Sequence, residues 1–293
     1  MKEFLSPLSA AWICWAIVGI SPIVGKYAQN RINPILLVLL GAIIGILFLL
    51  PAAIKQHQWK ELFSLKNSFK FLFIGTFGTA LPFSILLAAL HYTTPANAAI
   101  LQQSELIYSF CFAMFFLKES PSKMQIFGSI LILLGAVFVL LKSPYTPQWK
   151  GDLMILGSTW MLQAASTLAK KLPKNLSPIT ISFARNLYAL PALGILLAIY
   201  WLRGNQILLQ PSLGLLAIVG YTGFLKYGVA MLVWYHAIRN LELSKVTAIY
   251  LSYPAMTLLL SVLLNLENPS LLQLMGLGLC VYGGYLISCR LKK

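Results

Sequence analysis

The chain has 293 residues, of which 59% are hydrophobic and only 10% charged. Soluble domains carry charge on about a quarter of their residues, so this is the composition of a polytopic membrane protein, and no hydrophilic stretch is long enough for a separate soluble domain. The net charge of +15 does not point to nucleic acid, because the basic residues sit in short loops between apolar segments, which is the mark of membrane topology.

Ten segments have the length and apolarity a helix needs to cross hydrocarbon. They are residues 8–27, 34–54, 69–90, 95–117, 121–141, 151–170, 178–201, 212–236, 243–266 and 269–289. The connections carry turn formers and charges: Asn30, Asn33 and Pro34; Lys55 to Lys66; Glu119 to Pro121; Ser143 to Pro147; Pro173 to Pro178. Backbone polar groups in lipid must be satisfied within the segment, and the period-two alternation of a membrane barrel is absent, so the expected fold class is all-α. Met1 to Pro7 is short and weakly charged, so the apolar run after it reads as a first membrane helix, not a cleaved signal.

Place the amino terminus and every even connection on one side of the membrane. That side collects fifteen Lys and Arg residues and the other side five: Lys26, Arg31, Lys142, Lys150 and Arg203. The rule of positive cytoplasmic loops then puts both termini in the cytoplasm of a bacterial-style inner membrane. The bilayer and a small-molecule solute are the expected partners.

Several chemistries have no motif here. Cys14, Cys111, Cys280 and Cys289 show neither CxxC nor His-spaced patterning and read as packing residues. His91 and His236 fall at span ends, where side chains are interfacial, and no metal-ligand spacing surrounds them. With no ATP-binding loop, dinucleotide fingerprint or Ser-His-Asp set, no cofactor or enzymatic activity is expected. Energy would come from a gradient or from exchange.

The second half of the chain repeats the first. At a shift of 148 residues, Gly75 falls on Gly223, Ala89 on Ala237, Ser104 on Ser252, Glu119 on Glu267, Pro121 on Pro269 and Gln125 on Gln273. Gly128, Leu131 and Gly135 fall on Gly276, Leu279 and Gly283. Slightly different shifts place Trp15 on Trp160, Lys26 on Lys171 and Pro34 on Pro178. The predicted units are residues 1–142 and 143–293, five helices each. Five is odd, so the second unit enters from the opposite side. The result is an inverted repeat, the architecture of many secondary transporters, with the site where the repeats meet.

The stretch SELIYSFCFAMFFLKESPSKMQIFGSILILLGAVFVL from Ser104 resembles the signature half of the drug/metabolite transporter superfamily, EamA-type family. That signature has a Glu ending one span, a Pro starting the next, and two glycines seven apart. Glu119, Pro121, Gly128 and Gly135 fit it, as do Glu267, Pro269, Gly276 and Gly283. The resemblance implies a ten-helix carrier in which the third and fourth helices of opposite repeats line a central cavity. Two departures stand out. Where the family often has Glu-Pro in each fourth helix, Glu105 is followed by Leu106, and Tyr253 precedes Pro254. Where the family often has an arginine in the second helix, Arg185 fits and its counterpart is Gly41.

Three charges fall at membrane depth: Glu105, Arg185 and Lys226. Ionisable groups there are costly and mark sites by default. Either they bind a zwitterion between them, or Glu105 carries a coupling proton, or a static salt bridge locks the helices. Trp160, Tyr250 and Tyr253 are the aromatic candidates for the substrate site, since each offers an apolar face with one polar handle. Pro22, Pro82, Pro191 and Pro254 interrupt spans, as at transporter substrate sites. The glycine pairs, and Gly41 with Gly45, permit close helix contact within the chain or in a homodimer. The function expected is transport of a small organic metabolite such as an amino acid. The alternatives are an uptake carrier or antiporter for a nucleoside-like metabolite such as S-adenosylmethionine, and a scaffold or enzyme with no transport.

Overall fold

In the computed structural model, residues 5–89, 91–93, 95–140, 147–266 and 268–288 are described. Glu267, Cys289, Lys142 and residues 143–146 lie outside them. The described chain is helical, with no strand beyond an isolated bridge between Ile32 and Leu209.

Spans 1 and 2 are Pro7–Ala28 and Pro34–Lys55; span 5 is Lys123–Leu140, span 6 Trp149–Lys170, span 7 Pro178–Leu202 and span 10 Leu271–Ser288. Spans 2 and 7 begin alike. Asn33 Oδ1 accepts from the Ile35 and Leu36 N–H groups, and Ser177 Oγ accepts from Thr180 N–H, each cap followed by a proline at the first helical position. Nine described spans are both long and apolar enough to cross a membrane. Span 6 is the tenth, equally long and less apolar. Its polar residues Ser158, Thr159, Gln163, Ser166 and Thr167 are buried against other helices, not turned to lipid.

The other four spans are irregular in matched pairs. Span 3 runs as helix Leu65–Gly75, a π-helical stretch Thr76–Ala80 and helix Leu81–Ala89. Span 8 runs as Leu213–Gly220, a π-helical stretch Tyr221–Ala230 and Met231–Asn240. Span 4 breaks between Pro95–Gln102 and Glu105–Leu117, and span 9 between Leu243–Leu251 and Tyr253–Leu263. The breaks fall on the counterpart serines Ser104 and Ser252. Wide turns and broken membrane helices are tolerated where the backbone lines a cavity.

The inverted relation of the repeats is visible where spans 5 and 10 cross. A Cβ on Gly135 would lie 2.6 Å from the Gly276 carbonyl oxygen, and one on Gly276 would lie 2.6 Å from that of Gly135. Gly128 and Gly283 meet in the same way, at 2.9 and 2.6 Å. As the residue number rises along one helix it falls along the other, so the pair is antiparallel, and each contact is the repeat image of the other. A two-fold axis across this crossing lies in the membrane plane. These four glycines are packed within the chain. A second matched pair ties the repeats together: Gly75 of span 3 packs on the backbone of Tyr188 and Ala189 in span 7, and Gly223 of span 8 packs on Ile44 in span 2.

The face on which span 1 begins is closed by polar contacts, of which those of Glu119 and Gln58 cross between repeats. Lys170 Nζ donates to Glu119 Oε1 and to the Leu241 carbonyl, while Glu119 Oε2 accepts from Leu243 N–H at 2.8 Å. Gln58 Oε1 accepts from Ser177 N–H and from the Thr180 hydroxyl, and its amide donates to the Asn175 carbonyl. Arg239 adds a bond to the Pro173 carbonyl.

Candidate functional site

A cavity of about 410 Å³ lies among spans 1, 3, 4, 6, 7, 8 and 9. It extends from mid-depth toward the face opposite the start of span 1. Span 1 contributes only its later part, from Val18 to Gly25, and span 3 contributes Gly78 to Leu86. Pro22 and Gly25 are exposed at the mouth. Both irregular pairs meet here, since the π-helical stretches present Gly78 and Lys226, and the broken helices present Glu105 and Tyr253.

Glu105 is 7% exposed and stands at the first residue of its half-helix, where the macrodipole favours a negative charge. Gln163 Nε2 donates to Glu105 Oε1 at 2.7 Å. The second carboxylate oxygen has no hydrogen-bond partner among the described residues. Gln163 was not foreseen from sequence. The signal that marked it is the low apolarity of span 6, which places polar residues at the centre of the bundle.

Arg185 is 6% exposed and held from three directions. Nε donates to Thr79 Oγ1 at 2.8 Å, Nη2 to the Gly78 carbonyl, and Nη1 to Met231 Sδ. Pro82 has no N–H to offer the Gly78 carbonyl four residues back, which leaves that oxygen for the guanidinium. At the counterpart position Gly41 has no side chain, and Tyr227 fills the space, 2.9 Å from where a Cβ would be. The Tyr227 hydroxyl is buried with no partner among the described residues. Tyr227→Phe should therefore leave the melting temperature unchanged or raise it slightly, because removing an unpaired buried hydroxyl removes a desolvation cost. A fall of several degrees in a detergent melting curve would show that the hydroxyl has a partner after all.

Lys226 differs from Arg185. Its ammonium has no hydrogen-bond acceptor among the described residues and rests over the Phe83 ring, 5.2 Å from the centroid. No described carboxylate lies within ion-pairing distance of Arg185 or Lys226. Glu105 and Lys226 thus share a cavity but not a salt bridge. Tyr250 and Tyr253 line the wall with Trp234, at ring separations of 5.2 Å for Trp234 and Tyr250 and 6.0 Å for the two tyrosines.

Trp160 stands apart. It is 42% exposed and packs edge-on against Phe112, outside the cavity. Span 6 faces the cavity with Leu162, Ala165 and Ser166. Two residues along a helix turn about 200°, so Trp160 points away from Leu162.

A carboxylate, two cations and the five aromatic rings of Phe83, Trp234, Tyr235, Tyr250 and Tyr253 surround one space lined by broken helices. The model of the EamA-like transporter family matches residues 6–141 and again 149–289. The chain belongs to the EamA-like transporter family. It is a multi-pass membrane transporter. An uncharacterized transporter of Archaeoglobus fulgidus is 25% identical over 284 residues, covering 94% of this chain and 98% of that protein. An uncharacterized transporter of Clostridium kluyveri is 23% identical over 262 residues, covering 87% and 83%. A protein of known crystal structure superposes with a TM-score of 0.79 over 96% of both chains at 16% identity, which shows a shared fold.

Proposed function

We propose that this EamA-like transporter is a secondary carrier for a small zwitterionic organic metabolite, an amino acid or close relative. It works in the inner membrane with both termini cytoplasmic. The observation that supports this reading is the placing of Glu105 and Lys226, opposite charges in one cavity with neither paired to the other. Lys226 takes the substrate carboxylate. Glu105 offers its outer oxygen to the substrate ammonium, or to a coupling proton in the empty carrier. Arg185, each of its three nitrogens already bonded, adds positive potential without being a primary ligand. Tyr250, Tyr253 and Trp234 cover the apolar part of the solute. The volume lies near the lower end of the ~300–1,000 Å³ usual for ligand sites, which suits a solute of amino-acid size.

Solute counterflow in proteoliposomes across a metabolite panel tests this. Glu105→Gln keeps the shape and the Gln163 contact but removes the charge. We expect it to reduce counterflow of the best substrate about tenfold or more, as for loss of one buried charged contact. Unchanged counterflow at every pH would remove Glu105 from both roles.

A further inference from the structure

Each residue lining the cavity has a counterpart in the other repeat, 145 residues away between spans 1 and 6 and 148 away between spans 3 and 8 and spans 4 and 9. For one group both members line the cavity: Ser21 with Ser166, Glu105 with Tyr253, Gln102 with Tyr250, Gly78 with Lys226, Phe83 with Met231, and Leu86 with Trp234. These residues straddle the two-fold axis. For a second group only one member lines it. Val18, Pro22, Gly25, Ala99 and Leu251 do, while their polar or charged counterparts Gln163, Thr167, Lys170, Thr247 and Gln103 do not; Pro82, Leu162, Ala165 and Arg185 do as well, and their counterparts Ala230, Ile17, Ile20 and Gly41 are apolar.

Four of the polar counterparts have a property in common. Gln163, Thr167, Thr247 and Gln103 are each more than nine-tenths buried. Gln163 Oε1, Thr167 Oγ1, Thr247 Oγ1 and both polar atoms of the Gln103 side chain have no hydrogen-bond partner among the described residues. A buried polar atom without a partner costs on the order of 1–3 kcal/mol, so four such residues are an expensive way to pack a closed helix bundle. The residues they mirror are Val18, Pro22, Ala99 and Leu251, none of which carries a polar side chain. Packing alone does not call for amides and hydroxyls on one side of the axis and apolar groups on the other.

We propose that Gln103, Gln163, Thr167 and Thr247 line a second, polar vestibule that opens to the face on which span 1 begins, with Lys170 at its mouth. The inference rests on the carrier reading above. In that conformation the unpartnered atoms face water and the passing solute, and the two repeats have exchanged roles about the axis. Lys170, mirrored by exposed Gly25, becomes the first cation that the solute's anionic end meets. In the present conformation the vestibule is shut because Lys170 is held by Glu119 and the Leu241 carbonyl, and Glu119 by Leu243 N–H. Glu119 and Lys170 belong to opposite repeats, so their separation is what the exchange requires.

The test is thiol accessibility in a chain whose four cysteines are replaced by serine or alanine. Single cysteines are placed at Ala99, Thr167, Thr247 and, as a buried control, Ser129, and a membrane-impermeant charged thiol reagent is applied to one face at a time. The cysteine of Ala99→Cys should react from the far face only, and those of Thr167→Cys and Thr247→Cys from the face on which span 1 begins. Adding Glu119→Gln should raise the rates at 167 and 247 about tenfold and lower the rate at 99. That is the population shift expected from losing one charge-assisted hydrogen bond. Ser129→Cys should stay unreactive throughout. Silence at 167 and 247 with and without Glu119→Gln, in protein whose Ala99→Cys thiol reacts and which is therefore folded, would overturn the vestibule. Counterflow by the same preparation separates the two readings: flux without labelling removes the vestibule alone, and labelling without flux removes the carrier alone.

Discussion

Lys226→Met should cost transport heavily and stability nothing. The ammonium has no acceptor among the described residues and sits over Phe83, so the folded chain gains little from the charge and bears its desolvation. Methionine keeps the length and the apolar stem. The apparent affinity for the solute should fall about 30-fold or more, the equivalent of roughly 2 kcal/mol for removing one partner of a buried charged contact. The melting temperature of the empty carrier should hold or rise, the usual relation when a residue is kept for function at the expense of stability. Proteoliposome counterflow and a detergent melting curve on the same preparation check both halves. Retained transport, or a loss of transport matched by a loss of stability, would make Lys226 a structural residue.

Gly135→Val should do the opposite, destroying the scaffold. A Cβ there would stand 2.6 Å from the Gly276 carbonyl oxygen and 2.8 Å from Cys280 N. These are backbone atoms of a packed helix that cannot swing aside. Overpacking of this kind costs about 3 kcal/mol or more, a large share of the ~5–15 kcal/mol that holds a folded chain together. The variant should be recovered largely as aggregate. Gly157→Val is the control, because a Cβ at Gly157 meets nothing within 4 Å, and it should be recovered like the parent. Equal recovery in size-exclusion chromatography for the two variants would mean that spans 5 and 10 do not cross at these glycines.

The scaffold was legible because its causes are local or periodic. Spanning length and apolarity mark the helices, and Glu, Pro, Gln and Gly in register betray the repeat. Glu105, Arg185 and Lys226 could be picked out because charge is rare in apolar runs. Less was legible where the cause is tertiary. Gln163 looked ordinary until span 4 brought Glu105 against it. The π-helical stretches at Thr76–Ala80 and Tyr221–Ala230 have no sequence signature, and packing around Arg185 and Tyr227 accompanies them. Trp160 is a candidate from its apolar face and polar handle, but residue type alone does not say which side of span 6 it occupies. Glu119 was visible as a signature residue, while its hold on Lys170 and on the start of span 9 needed the fold.

The central claim is that one cavity reads both charges of a zwitterion. The most direct measurement is binding to the purified carrier of amino acids alongside their carboxamides and their deaminated acids, followed by thermal shift and counterflow. The account predicts at least one amino acid that stabilises the protein and exchanges across the membrane, with its amide and its deaminated acid each about tenfold weaker or worse, a loss of roughly 1.4 kcal/mol per missing charge. An amide or a deaminated acid that binds and exchanges as well as its parent amino acid, or no binding by any zwitterion in the set, would contradict it.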